Sequence, residues 1–257
     1  MSKNHTTESD ILPINTDFPI NNKYKSINFN SRIRQIIIHY TAEDTQKSFD
    51  TLLGKDKNKV SAHYIINNAL TEKYPDFIYQ IVSDSKRSWH AGVSTWGNDS
   101  DLNNSSIGIE IVNLDGNVDA YPEEQFQAIV FLVKKLKQLY KVKDVDIIGH
   151  SDIAPSRKVD PGKLFPWERL AKSGASAWYD ESDVEYFRST LETAPNDEIG
   201  KEKLIEYGYH IDKHIKDLKQ YKFVVAAFQR HFRPSGVDSI MDVETYAILL
   251  ALLKKYR

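Results

Sequence analysis

The chain has 257 residues, enough for one substantial core or for a larger domain with a small one beside it. Apolar residues make up 40% and charged residues 27%, the balance of an ordinary globular protein, and a formal net charge of −2 gives no basic face for nucleic acid. No apolar run approaches the length of a membrane span, and the absence of cysteine excludes disulfides, thiolate zinc ligands, a cysteine nucleophile and cysteine-linked lipid.

Residues 1–30 are polar and rich in Asn, Ser and Thr, and they read as poorly ordered at first and then as an extended arm laid on the following domain through Phe18-Pro19-Ile20, Tyr24, Ile27 and Phe29. Arg34 to Ala42 contains Ile36-Ile37-Ile38, a β-branched run expected of a strand covered on both faces. His39 ends that run, either as a satisfied core histidine or as a ligand at the strand's open end. Thr45 to Leu53 spaces Phe49, Leu52 and Leu53 as a short helix stopped by Gly54. Val60–Asn67 and Phe77–Val82 predict the second and third strands. Ser88-Trp89-His90-Ala91-Gly92 then opens a loop rich in Gly, Asn, Asp and Ser that runs to Ser106, and loops of this length often line or cover a site.

Ser106 to Asn113 predicts a strand with Ile107, Ile109 and Ile111 on one face and Gly108, Glu110 and Val112 on the other. A carboxylate between apolar side chains costs several kcal/mol unless it is paired, next to a metal or protonated. Such a carboxylate suits general acid/base work, and Gly108, one pleat away, leaves open volume beside it. Pro122-Glu123-Glu124 opens a helix to about Tyr140, with acids at its positive end and lysines toward its negative end. Val145 to Ile148 is the next strand. It leads into an irregular loop, His150 to Pro161-Gly162, in which Pro161 favours an extended Asp160 and so aims Lys158 and Asp160 to one side. His150 sits at a strand's carboxyl end, where open α/β sheets place ligands. Leu164 to Leu170 starts a closing helix.

From about Tyr179 the pattern is helical only, and Gly236-Val237-Asp238 turns between the last two helices. The predicted organisation is therefore an arm at 1–30, an α/β domain at 31–179 and an all-helical domain at 180–257. The histidines of the α/β domain are His39, His63, His90 and His150, and periodicity does not choose among them. A catalytic zinc needs three protein ligands and one open position, for which two histidines and Asp160 suffice.

Five segments in order carry a resemblance: His39-Tyr40-Thr41-Ala42-Glu43-Asp44, Ser61-Ala62-His63-Tyr64, Trp89-His90-Ala91-Gly92, Leu102-Asn103 with Ser106 to Glu110, and His150 to Gly162 continuing to Trp167. Over most of residues 32–178 the chain resembles the zinc-dependent N-acetylmuramoyl-L-alanine amidases of the type 2 amidase and peptidoglycan-recognition-protein superfamily, near their AmiD-like branch. The resemblance implies a mixed central β-sheet flanked by helices, with Zn2+ held by His39, His150 and Asp160 and with Glu110 and Lys158 as catalytic partners. His63 and His90 then fall outside the metal's ligands. Tyr64, Trp89, His90, Trp96 and Asn103 are expected to line a groove for sugar and stem peptide. The tail resembles, more loosely, a three-helix peptidoglycan-binding module. The implied reaction is hydrolysis of the amide between the lactyl group of N-acetylmuramic acid and L-alanine, on peptidoglycan or muropeptides, by a monomer. Two rivals are a non-catalytic recognition protein of the same fold and a zinc hydrolase of another peptide or acyl bond, although the HExxH helix of common metallopeptidases is missing. The first thirty residues lack a cationic-then-apolar signal layout. The expected compartment is the envelope for a trimmed chain, or otherwise the cytoplasm or export without an amino-terminal signal.

Overall fold

The computed structural model describes residues 32–55, 57–212 and 218–257, so the expected arm at 1–30 lies outside the described residues. The strands are β1 (Gln35–Tyr40), β2 (Tyr64–Ile66), β3 (Ile78–Gln80), the two-residue β4 (Thr95–Trp96) and β5 (Asp99–Ser100), β6 (Ser106–Ile111) and β7 (Ile147–Gly149). Five of them form one sheet in the order β3-β2-β6-β1-β7, while β4 and β5 pair only with each other. Within the sheet β2, β6, β1 and β7 run parallel, and β3 is antiparallel at the edge. This is the mixed sheet that the resemblance implied. The strand expected over 60–67 shortens to β2 because Ser61 is bonded backbone to backbone with Trp89, which ties that stretch to the loop instead of the ladder.

Register explains the division of labour between the two faces. Ile36 and Ile38 of β1, Ile107, Ile109 and Ile111 of β6, and Tyr64 and Ile66 of β2 point to one side. There they form a core with Phe126, Ile129 and Val133 of the helix α2 (Glu123–Tyr140). The opposite side carries Ile37 and His39, Gly108 and Glu110, and Ile65. Helices appear in the order α1 (Thr45–Leu52), α2 (Glu123–Tyr140), α3 (His150–Ile153), α4 (Trp167–Lys172), α5 (Glu181–Thr190), α6 (Asp197–Tyr207), α7 (Leu218–Phe232) and α8 (Val243–Tyr256). The helix α1 starts where the Asp44 carboxylate accepts from the Lys47 amide at 2.9 Å, filling an orphan donor of the first turn. Its Phe49 and Leu52 pack on Ile65 and Val112. The loop expected after β7 instead begins as a single helical turn, α3, whose first residue is His150.

The tail holds four described helices, one more than the expected module. Asn196 and Asp242 cap α6 and α8 through their side chains. Val224, Phe228, Ile248 and Leu252 of the tail share one apolar cluster with Ile37, Ile148 and Ile153 of the sheet and α3, and the described residues hold together as a single unit. Within the tail, α6 meets α7 at Gly200, where a Cβ would lie 2.1 Å from the Tyr221 hydroxyl oxygen. Gly200→Ala should therefore destabilise the protein, since an overpacking cost of about 1–3 kcal/mol outweighs alanine's helix advantage of about 1 kcal/mol. The Tyr221 hydroxyl has no hydrogen-bond partner among the described residues. Adding Tyr221→Phe to Gly200→Ala should restore most of the lost denaturant midpoint, and a strictly additive double variant would contradict the collision.

Candidate metal centre

Two strand ends and one loop build the centre. His39 lies near the carboxyl end of β1, and in-register pairing sets Glu110 of β6 beside it on the same face. His150 follows β7 directly. Asp160 returns to it through the loop, because the Ser151 amide donates to the Asp160 carbonyl at 2.9 Å. The peptide Asp160–Pro161 is cis. Tyr121 Oη donates to the Pro161 carbonyl at 2.7 Å. Gly149 allows the close approach, since a Cβ there would sit 2.7 Å from Pro161 Cδ.

The outcome is a tight triangle of donor atoms. His39 Nδ1 lies 2.9 Å from His150 Nδ1, and each lies 3.1 Å from Asp160 Oδ2. All three residues are buried, at 1%, 3% and 6% exposure. Tetrahedral zinc with nitrogen and oxygen at about 2.0–2.1 Å has ligand-to-ligand edges of roughly 3.3 Å, so the triangle needs only slight opening. The outer nitrogens agree with that use. His150 Nε2 faces the Ala91 carbonyl at 3.2 Å, which can only accept, so the proton sits on Nε2 and the Nδ1 lone pair is free. His39 Nε2 faces His90 Nδ1 at 3.0 Å, His90 Nε2 faces Ser106 Oγ at 3.3 Å, and Ser106 donates to the Leu102 carbonyl at 2.6 Å. Run from His39 outward, each group donates to the next and His39 Nδ1 is again left as a lone pair. Burial and the neighbouring His150 bring the His39 pKa down to about 4. Burial works against the Asp160 charge, but the facing His150 and His39 outweigh it and hold the carboxyl below its usual range. The set is a neutral imidazole, a second imidazole and a carboxylate, which suits a divalent cation.

A cavity of about 360 Å³ opens onto the triangle and is lined by Tyr40, Glu43, Trp89, Glu110, Lys158 and Asp160 among others. Glu110 is partly accessible from it, yet its Oε2 is buried and accepts no hydrogen bond among the described residues. Burial pushes the Glu110 carboxyl well above its usual pKa, Asp160 adds to the rise and Lys158 opposes it. Lys158 is half-buried at the cavity wall, on the same loop as Asp160.

The other expected contacts divide. Trp89, 49% exposed, lines the cavity. Tyr64 does not reach it: paired with Ile109, it has the parity of the α2 face, its ring lies in that core, and its hydroxyl donates to Asp84 at 2.9 Å. His90 stands with its ring behind His39, in the space that Gly108 leaves, where a Cβ would be 2.3 Å from the imidazole. That space is therefore filled and is not the open volume expected beside Glu110. Asn103 works as a bracket, its Oδ1 accepting from the His90 and Ala91 amides at 3.0 and 2.8 Å. Trp96 is core, packed on Tyr207 and Tyr209 with its indole N–H on Asp146. His63 is a satisfied buried histidine, accepting from the Gly108 amide at 3.0 Å and facing the Lys86 carbonyl at 3.1 Å. Ser106 and Ala91 lie in the motif segments, but their support of the centre, like that of Tyr121, is not announced there, since a serine opening a strand or a backbone oxygen has no pattern of its own.

Two histidines at the carboxyl ends of parallel strands and a loop aspartate, beside a carboxylate with raised proton affinity, form a hydrolase-type site able to hold a divalent metal on an α/β sheet. Residues 29–163 match the N-acetylmuramoyl-L-alanine amidase family, and the chain belongs to it. The N-acetylmuramoyl-L-alanine amidase AmiD of Escherichia coli K12 is 38% identical over 238 residues, 88% of this chain and 84% of that protein. The solved complex of E. coli AmiD with anhydro-N-acetylmuramic acid-L-Ala-D-gamma-Glu-L-Lys superposes with a TM-score of 0.85 at 34% identity, covering 93% of this chain and 96% of that one. Pseudomonas aeruginosa AMPDH3 in complex with anhydromuramic pentapeptide gives 0.86 at 35% identity, over 94% and 99%.

The raised Glu110 pKa has a consequence for the metal-free protein. A carboxyl whose folded pKa lies above its unfolded value contributes full stability below the unfolded pKa, and that contribution is lost as pH rises through the folded pKa. Metal-free Glu110→Gln should thus melt higher than metal-free wild type at pH 8, with the gap closing toward about pH 4, the ordinary carboxylate range. Melting curves of the two proteins across that span check it, and a gap that does not change with pH would contradict it.

Proposed function

We propose that this chain hydrolyses the amide between the lactyl group of N-acetylmuramic acid and the L-alanine of peptidoglycan stem peptides, with zinc held by His39, His150 and Asp160. The observation that carries the reading is the buried triangle of His39 Nδ1, His150 Nδ1 and Asp160 Oδ2, each pair within 3.1 Å, opening onto the cavity that Glu110 and Lys158 line. When bound there, zinc would polarise the scissile carbonyl and make a water acidic enough to yield hydroxide near neutral pH.

The chain's own groups do the rest. Glu110, with its raised proton affinity and one unpaired oxygen, takes the proton of the attacking water and later delivers it to the leaving nitrogen of L-alanine. It is not one of the three converging donors, so it remains free to move a proton. Lys158 faces the same cavity, and its ammonium offsets the negative charge that the carbonyl oxygen gains. Trp89, exposed at the rim, offers a flat apolar surface to a sugar ring or to the stem peptide. Presence of both Glu110 and Lys158 beside the triangle favours turnover over recognition alone.

The tail from about residue 180 serves in this reading as the murein-holding part, and the chain acts as a monomer. Among the described residues no helix is long and apolar enough to cross a membrane. The proposed compartment is the cell envelope, where murein lies, with recycling of soluble anhydromuropeptides as the alternative setting. Comparative rates on intact murein and on anhydromuropeptide separate the two.

Glu110→Gln should keep its zinc and lose about 10²–10⁴ in kcat. Lys158→Met should keep its zinc and lose about 10²–10³. Metal analysis beside mass-resolved product release reads both, and a Glu110→Gln protein without zinc would make Glu110 a ligand. The silenced full-length chain should also co-sediment with insoluble murein; recovery of all of it in the supernatant would remove the murein-holding role.

A further inference from the structure

Asp152 lies two residues past His150 in α3 and is 1% exposed. A carboxylate at that depth persists only when its lone pairs are filled, and three donors fill these. Oδ2 accepts from the Gly149 amide at 2.8 Å and from His231 Nδ1 at 2.8 Å, and Oδ1 accepts from the Tyr209 hydroxyl at 2.7 Å. The Gly149 bond joins Asp152 to the residue that immediately precedes His150. The other two donors come from the helical tail, Tyr209 just after α6 and His231 in α7.

Both are held so that their polar atoms have little freedom. The His231 ring stacks on Trp167 at 3.8 Å and on Phe232 at 3.9 Å. Its Nε2 is buried with no partner among the described residues. A buried imidazole with one nitrogen unsatisfied is a poorer filler than phenylalanine, so what it contributes here is the bond from Nδ1. Tyr209 is fully buried and packs edge-on against Trp96 at 5.0 Å. The turn they grip is only four residues long, too short to be stable by its own hydrogen bonds. Its position therefore depends on what holds it: the Asp152 bonds, the Ser151–Asp160 backbone bond and the packing of Ile153 in the apolar cluster.

We infer that the helical tail positions a metal ligand: Tyr209 and His231 clamp Asp152, and Asp152 fixes the turn that aims His150 Nδ1 at His39 and Asp160. The inference rests on the metal centre proposed above and gives the tail a task separate from holding murein. Tyr209 and His231 are positioning residues, acting through Asp152 and His150 without touching the reacting atoms.

The test uses the full-length chain as wild type, Tyr209→Phe, His231→Phe and Asp152→Asn. Leu252→Ala is the control, because it opens a cavity in the tail's apolar core and removes no bond to Asp152. The readouts are zinc affinity by chelator competition and the visible spectrum of the cobalt-substituted protein. Tyr209→Phe and His231→Phe keep their rings and should weaken zinc binding by about 10–100-fold, the usual effect of removing a group that orients a ligand, and should shift the cobalt bands. Leu252→Ala should lower the melting temperature and leave zinc affinity within twofold of wild type. The inference is overturned if Tyr209→Phe and His231→Phe both bind zinc within twofold of wild type, or if Leu252→Ala weakens it as much as they do. If Asp152→Asn fails to fold, the two ring-preserving variants carry the test. A wild-type chain that binds no zinc would sink the metal centre itself, a result distinct from variants that bind as wild type does.

Discussion

Two imidazole nitrogens and a carboxylate oxygen are held about 3 Å apart in a buried place, and the rest of the molecule is arranged around that constraint. Lone pairs facing one another at such distances repel, and an ionised carboxylate away from water is costly. A dication turns both terms around, so the protein's task is to keep the donors from relaxing away from one another. It does this with bonds that lie outside the triangle. The Ala91 carbonyl, the His90–Ser106–Leu102 chain and the Tyr121 bond to Pro161 each act on one of the three donor residues from behind.

Much of this was legible in the chain because period-2 alternation carries face information. The Ile36–Ile38 run and the Ile107, Ile109, Ile111 set placed β1 and β6 in the sheet interior, and the same alternation put Glu110 on the face away from the α2 core. Metal-ligand chemistry narrowed the donors to histidines and Asp160, and the family resemblance singled out His39 and His150; the geometry brings those three together. Tyr64 lies away from the groove expected of it, because residue type alone carries no register. Only the pairing of Tyr64 with Ile109 shows that its ring must point to the opposite core. His90 does line the cavity, as the motif implied, but its place behind His39, in the space left by the missing Cβ of Gly108, has no sequence signal.

What stayed invisible shares one property: it depends on partners far apart in the chain or on the backbone. The Asn103 bracket bonds to main-chain amides, and Asp152 meets donors 57 and 79 residues distant. The single turn α3 has no periodic signature because four residues are too few to show one. The tail's helical character was readable from its apolar spacing, but its fourth helix and its common core with Ile37 and Ile148 were not.

The small ribbon β4–β5 also ties the parts together. Its Gly97 amide donates to the Gly208 carbonyl at 2.7 Å, and Trp96 beside it is embedded among tail tyrosines. The ribbon and the tail therefore cannot be exchanged independently among relatives. A chimera that took a foreign tail would leave an indole without its socket, and one that took a foreign ribbon would leave a hole in the tail, so heredity should move the two as one block.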